Sequence, residues 1–421
     1  MKLKILWFIH IIPKAFYDRN GTITTGTGFW IHSLIDELSK RTDIDLSVAF
    51  PYNGKTQHFI HNGVNYYSIP YYYNRYLRFF SPIVFLFHKL SLIFARDLIQ
   101  ELKPDLIHIH GTESIFGLLK VKNLTNLPVI ISIQGIMSQC SKYAWGDLCF
   151  SDLIPMQGLR EFAGGFSLLH LKKHFKRSGD RERYILSSAD AFLGRSSWDK
   201  SYCWSISPQK KYYHVDEIIR PEFFKTSWDI LKCQRFRVFT SGRLSFAKGI
   251  HVFLEAMFLL KKEFPNLDVH IAGGTAPTCE YKYLRKLIEK YSLSDTVTFT
   301  GWLPASELVE ELKKAHVYAN SSFIENGCNA LQEAMVLGLP CVAGFVGGMS
   351  TTLVHRKTGL MYPRGDAFML AYRIREFFNN DDLSISLGKE ASICARSRHD
   401  PHKIVDSLFS SYRATLISYN S

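Results

Sequence analysis

The sequence predicts an α/β protein built from two doubly wound parallel sheets that face each other, on three observations. From residue 236 onward, short β-rich runs (RVFTSG, LDVHIAGG, TVTFTG, HVYANSS and PCVAGF) alternate with helical stretches. Strands alternating with helices build parallel βαβ units in three layers. The first half repeats this grammar with longer inserts. The chain's 421 residues, at roughly 150 per domain, allow two or three domains, each with its own core.

In chain order the elements justify themselves as follows. MKLKILWFIHII opens with two lysines and an apolar run, but His10 interrupts it and no small-residue cleavage site follows. It is read as a buried first strand rather than a signal peptide. A helix from about Phe29 to Lys40, the strands IDLSVAF and VNYYSI, and a helix ending near Leu102 come next. DLIHIH and VIISI follow, then AFLG, a helix near Trp198, and KYYHV. The polar segment Pro221 to Lys232 reads as a linker. Behind Gly249, the residues Val252, Phe253, Ala256, Met257 and Leu260 recur at helical spacing and define one buried face. From about Pro401, Ile404, Leu408, Tyr412, Leu416 and Tyr419 mark a closing helix. The expected division is therefore 1–225, 226–400 and 401–421. Ligands of open α/β sheets bind beyond the carboxyl ends of the strands, so two such domains enclose a cleft.

Composition excludes several classes. With 46% hydrophobic and 21% charged residues the chain is an ordinary globular protein, not a disordered, collagenous or coiled-coil one. The eight cysteines contain no C-x-x-C pair, which argues against a zinc ribbon or disulfide framework and for a reducing cytoplasm. The apolar stretch Phe79 to Ala95 is interrupted by His88 and Lys89, so no spanning helix is expected. The net charge of +13 permits non-specific phosphate binding. No helix-turn-helix, zinc or RNA-binding motif accompanies it, and no nucleic-acid partner is expected.

The densest chemical signal is Ser321 to Gly348, SSFIENGCNALQEAMVLGLPCVAGFVGG. Glu325 falls in a loop after a strand, and Glu333 lies eight residues on, inside a helix that begins near Asn329. Asn329 suits an N-cap, with Gln332 three residues later, which leaves the amides of Ala330 and Leu331 pointing out of the helix start. Such a helix start attracts anions. Taken alone, the two glutamates also fit a solvated helix carboxylate and a loop charge. Context comes from FTSGRLSFAKG, where Arg243 and Lys248 stand five apart between a strand end and a helix. Singly each fits a surface cation; together with the carboxylate loop they form a diphosphate clamp facing a hydroxyl reader.

At these residues the sequence resembles the retaining GT-B glycosyltransferases of the group-1, family 4 type. The motifs that carry the resemblance are E-x7-E at Glu325 and Glu333, G-R-L-x-x-x-K-G from Gly242 to Gly249, and the Gly-Gly turns at Gly273–Gly274 and Gly347–Gly348. The resemblance implies that Arg243 and Lys248 neutralise the donor diphosphate, that Glu325 contacts the donor sugar and that Glu333 holds the ribose hydroxyls. It also implies that the loop Gly301 to Leu303, with Trp302, holds the base largely through main-chain groups, with Thr275 after Gly274 facing base or ribose. In the first half, TTGTGFW matches the family's Gly-rich turn, where Gly28 lets the backbone approach phosphates and sugar. No metal and no cofactor are implied.

One departure stands out. Where the family often has a histidine near the donor sugar, this chain has Gln134. An amide hydrogen-bonds a sugar hydroxyl but cannot accept its proton. Either a donor phosphate oxygen serves as the base, or activity is altered. His108 and His110 lie one strand earlier, and His110 is either at the cleft or structural. The D-x-D of Asp43 and Asp45 precedes a strand in an ordinary loop and is not read as a metal site. Tyr71 to Phe87 mixes aromatics with Arg75 and Arg78, and Lys172, Lys173, Lys176 and Arg177 form a second basic cluster. A membrane interface with anionic lipid and a solvated basic face account for both equally.

The leading expectation is a cytoplasmic, membrane-peripheral enzyme. It moves a sugar from a nucleotide-sugar donor to a saccharide acceptor, lipid-linked, in surface-polysaccharide assembly. A same-fold epimerase or phosphorylase is the second reading, although no signature of a pyridoxal-phosphate lysine is present. A non-catalytic phosphate- or nucleic-acid-binding scaffold is the third.

Overall fold

The computed structural model describes residues 2–21, 28–71, 81–158, 167–274 and 278–421. The first sheet holds β1 (Leu3–Phe8), β2 (Ile44–Tyr52), β3 (His58–His61), β4 (Val64–Pro70), β5 (Leu106–His110), β6 (Val129–Ser132), β7 (Ala191–Gly194) and β8 (Lys211–His214), in the order β3-β4-β2-β1-β5-β6-β7-β8. The second holds β9 (Arg237–Ser241), β10 (Asp268–Ala272), β11 (Val297–Gly301), β12 (Val317–Asn320), β13 (Cys341–Gly344) and β14 (Leu360–Tyr362), in the order β11-β10-β9-β12-β13-β14. Every pairing is parallel except β3 with β4. In both sheets the order reverses beside the first strand, and that is where a doubly wound sheet opens its binding crevice.

The central strands are apolar on both faces because helices cover both. β1 runs Ile5, Leu6, Trp7, Phe8 with all four buried, and β5 is buried throughout, its two histidines included. The hairpin β3–β4 escapes the reading of the sequence, yet its signal is there. Asn62 and Gly63 both have positive φ, 49° and 78°, the geometry of a two-residue type I′ turn.

Two connections tie the domains together. The segment after Arg220, expected as a polar linker, forms a short 3-10 turn at Pro221–Lys225. Phe223 is fully buried in the second domain's core, and the Trp228 indole donates to the carbonyl of Ala315. Its aromatic residues outweigh its polar ones, so the segment docks. The helix Pro401–Asn420 then returns to the first domain, where Ile404, Val405, Leu408, Phe409 and Tyr412 join the core under β1 and β2. Tyr412 accepts from the Trp7 indole at 3.0 Å and meets Nδ1 of His108 at 2.7 Å.

Candidate active site

The cleft is lined by the strand ends of both domains. From the second, Lys248 ends the turn after β9 and donates to the Glu325 carboxylate at 2.5 Å; the Ser322 hydroxyl donates to the same oxygen at 2.8 Å. Burial works to lower the Lys248 pKa, but the Glu325 carboxylate outweighs it and the net shift is upward, so the ammonium stays charged. One of its three N–H bonds is spent on Glu325, which leaves two for an incoming anion. Arg243 is exposed and forms no ion pair among the described residues. Its charge opposes that of Lys248, as expected of two cations held close.

Glycines shape the space between these groups. An added Cβ on Gly242 or Gly274 would meet nothing within 4 Å, so both border open room. Gly28 instead is required by its backbone: its φ is +77°, and a Cβ would meet the Ile11 side chain at 1.9 Å. The rest of the Gly-rich turn before it, and Thr275, lie outside the described residues. Trp302 is 58% exposed at the mouth of the second domain, while Leu303 packs on the core beneath it.

The helix Asn329–Leu337 departs from its expected cap. Cys328, not Asn329, holds the N-cap position and makes no side-chain cap bond. Asn329 is the first helical residue, and its side chain accepts from the Gln332 amide at 3.3 Å. The start of the helix therefore keeps free main-chain amides at Asn329 and Ala330. The Leu331 side chain is fully buried in the core, and its amide faces the Cys328 thiol rather than open space. Glu333 is 2% exposed and is held by Arg220, a pairing that no local pattern announced.

The Glu325 loop is locked to the first domain. Asn326 accepts from the Ser196 hydroxyl at 2.7 Å and donates to the carbonyl of Ile133 at 3.1 Å. Gln134, the next residue, is thereby brought to the loop. Its carbonyl accepts from Arg195, which also pairs with Glu217 and lies against Gly327, where a Cβ would approach Arg195 Nε to 2.7 Å. On the far side of the cleft Asp147 meets Nε2 of His251 at 2.7 Å. His110 does not reach the open cleft. It is 1% exposed, packed on Trp7 and His108, because β5 is central and covered on both faces. Burial lowers its pKa well below the ordinary histidine value. Among the described residues no group of three or more metal-binding side chains gathers, and Asp43 is engaged by Arg41.

Two facing parallel-sheet domains, with two cations and a carboxylate loop at the crevice, define a GT-B protein. Residues 228–393 match the family described as Glycosyl transferases group 1. The second domain is thus a group 1 glycosyltransferase domain. The chain is 30% identical over 164 residues to a D-inositol 3-phosphate glycosyltransferase of Pseudarthrobacter chlorophenolicus, covering 38% of this chain and 39% of that one. It is 33% identical over 155 residues to the putative colanic acid biosynthesis glycosyltransferase WcaL of Escherichia coli K12, covering 35% and 37%. The match thus spans about two fifths of these relatives' length. Solved structures share the whole fold. A sucrose-phosphate synthase from Thermosynechococcus elongatus superposes with a TM-score of 0.74 at 17% identity, over 99% of this chain and all of that one. Anabaena HepE in complex with UDP-glucose gives 0.68 at 15% identity, over 98% of this chain and all of that one.

Proposed function

We propose that this protein transfers a sugar from a nucleotide-sugar donor to a saccharide acceptor, with retention at the anomeric carbon. The observation that carries the reading is the Lys248–Glu325 pair, near Arg243, on a loop that Asn326 ties to the carbonyl of Ile133 in the first domain. As the bond from anomeric carbon to phosphate oxygen breaks, charge grows on the departing diphosphate. Arg243, the spare N–H bonds of Lys248 and the amides at Asn329 and Ala330 answer that charge without a resident metal. Glu325, fixed by Lys248 and Ser322, accepts from donor-sugar hydroxyls. The acceptor oxygen bonds to the anomeric carbon, and its proton passes to an oxygen of the leaving phosphate, because Gln134 cannot take it. Gln134 orients a sugar hydroxyl. Gly28 lets the backbone approach the phosphates, and Gly242, Gly274, Trp302 and Leu303 border the nucleoside.

The colanic acid biosynthesis in the name of WcaL supports a role in polysaccharide synthesis, and we extend the proposal to a lipid-linked saccharide acceptor in surface-polysaccharide assembly. Among the described residues no helix is long and apolar enough to cross a membrane. The face of the helix Leu168–Ser188 supports contact with a membrane surface from the cytoplasmic side. Leu169 is exposed there beside Lys173, Lys176 and Arg177, which share its side of the helix. Most of the aromatic segment Tyr71 to Phe87 lies outside the described residues.

The test is release of nucleoside diphosphate from UDP- and GDP-sugars by the full chain. Glu325→Ala is expected to abolish release while leaving nucleotide binding largely intact. Undiminished release would remove Glu325 from the mechanism.

A further inference from the structure

Arg195 directly follows β7, and its guanidinium meets three pieces of chain that lie far apart in the sequence. One terminal nitrogen donates to the carbonyl of Gln134 at 3.3 Å, just past the end of β6. The other pairs with Glu217, which lies past β8, where the chain begins its crossing to the second domain. Nε faces Gly327, two residues beyond Glu325, where a Cβ would stand 2.7 Å from Nε and 3.1 Å from Cδ of Arg195. The loop that carries Glu325 therefore rests on this side chain, and a glycine is what lets it do so.

Folding alone does not account for the arrangement. The side chains of Arg195 and Glu217 are 10% and 7% exposed, and Nε of Arg195 is buried without a hydrogen-bond partner. An unspent buried N–H costs stability, and a buried ion pair can often be exchanged for apolar residues of like volume without loss. A guanidinium has one property such residues lack. It is a rigid planar fork, so it holds two chain segments at set angles while a third packs on its edge. Its charge also reaches the site: burial lowers the Arg195 pKa, and Asp199, Asp216, Tyr212 and Glu325 oppose that.

We propose that Arg195 is a positioning residue for sugar transfer, which registers the Glu325 loop of the second domain against the Gln134 strand end of the first. Glu325 then meets the donor sugar in the one alignment that Arg195 permits. This rests on the donor reading given above. Arg243, Lys248 and Asn329, the groups assigned to the diphosphate, form no hydrogen bond or ion pair with Arg195 among the described residues. Nucleotide binding and sugar transfer should therefore part company when Arg195 is changed.

The test uses the full chain and three readouts: thermal melting, calorimetric binding of UDP, GDP and ADP, and release of nucleoside diphosphate from the matching sugar conjugates. The double variant Arg195→Met, Glu217→Leu removes both buried charges at similar volume and so keeps the fold. It is expected to melt within a few degrees of the wild type and to bind the nucleotide as the wild type does. Its kcat should fall about hundredfold with KM for the conjugate little changed, the mark of a misplaced reacting centre. Arg195→Lys keeps the charge for Glu217 but not the fork, and should recover part of the loss, to about tenfold below the wild type. Gly327→Ala presses on the same guanidinium from the loop side and should lower kcat with nucleotide binding kept. Unchanged kcat in the double variant would overturn the proposal. So would a parallel loss of melting temperature, nucleotide binding and turnover across the Arg195 variants, which marks a purely structural pair. Either result leaves the donor reading standing. A wild type that releases nucleoside diphosphate from no conjugate would overturn the donor reading and the proposal with it.

Discussion

Glu325 owes its position to contacts made by its neighbours more than to its own side chain. Its carbonyl accepts from the Gly348 amide at 2.9 Å, and Gly347, with φ of +48°, passes so close that a Cβ would stand 2.0 Å from that carbonyl. Gly347→Ala is therefore expected to push the Glu325 backbone aside and to strain its own. The expected results are a stability loss of more than ~1 kcal/mol and, from a shift of about 1 Å at the reacting centre, a roughly hundredfold fall in turnover. Thermal melts and initial rates on the same preparation check this; unchanged turnover would mean that the loop does not depend on that approach. Local spacing singled out Arg243, Lys248, Glu325 and Glu333 in the sequence, and the fold brings Lys248 onto Glu325. Other partners were not legible. Arg220 is 113 positions from Glu333, Ser196 is 130 from Asn326, and Ile133 is 193 from it, so folding alone brings them together.

At the scale of elements, periodicity served well where a strand or helix has one kind of surroundings. β5 carries the alternation LIHIH, yet all five residues are buried, and its polar positions became two neutral histidines inside the core. The reason lies in the closing helix, whose Tyr412 seals the face of His108 while Ser132 on β6 bonds its other nitrogen at 2.6 Å. β14 and β3 went unread because both are short, at three and four residues, although β4 was read and Asn62–Gly63 marked the turn before it. The buried histidines carry a prediction. Burial holds His108 and His399 at a pKa of about 3, and lowers His110 by burial and the proximity of His108. In the unfolded chain each titrates near 6.5, so below about that pH the unfolded state binds more protons and stability falls with pH. The full contribution is present above about 6.5 and drains away toward 3, at up to ~1.4 kcal/mol per pH unit for each histidine. Urea midpoints should hold steady from about pH 7 to 8 and drop steeply between about 6 and 4. His108→Asn should flatten that slope, and a midpoint indifferent to pH across this range would contradict the buried neutral assignment.

Among the contacts that join the two sheets are the docked segment after Arg220, the returning helix Pro401–Asn420, the Asp147–His251 pair and the seam at Asn326, Ser196 and Ile133. The seam is polar and buried, so it rewards only one alignment of the domains, and that alignment holds the Glu325 loop, through Asn326, on the strand end at Ile133. Alternation of strands and helices was enough to foresee two facing sheets, since each βαβ unit reports itself locally. The returning helix was readable as an amphipathic stripe, but its destination on the first domain was not, because an apolar stripe does not name its partner.

The central claim is that the cleft grips a nucleoside diphosphate through Arg243 and Lys248. The most direct measurement is calorimetric titration of the full chain with UDP, GDP, ADP and CMP in EDTA and in magnesium, repeated on Arg243→Ala. The account predicts that one nucleoside diphosphate binds equally well in EDTA and magnesium, and that Arg243→Ala weakens it by at least about tenfold, the loss of one charge-assisted contact. Binding of no nucleotide at all, or equal binding by Arg243→Ala, would contradict it.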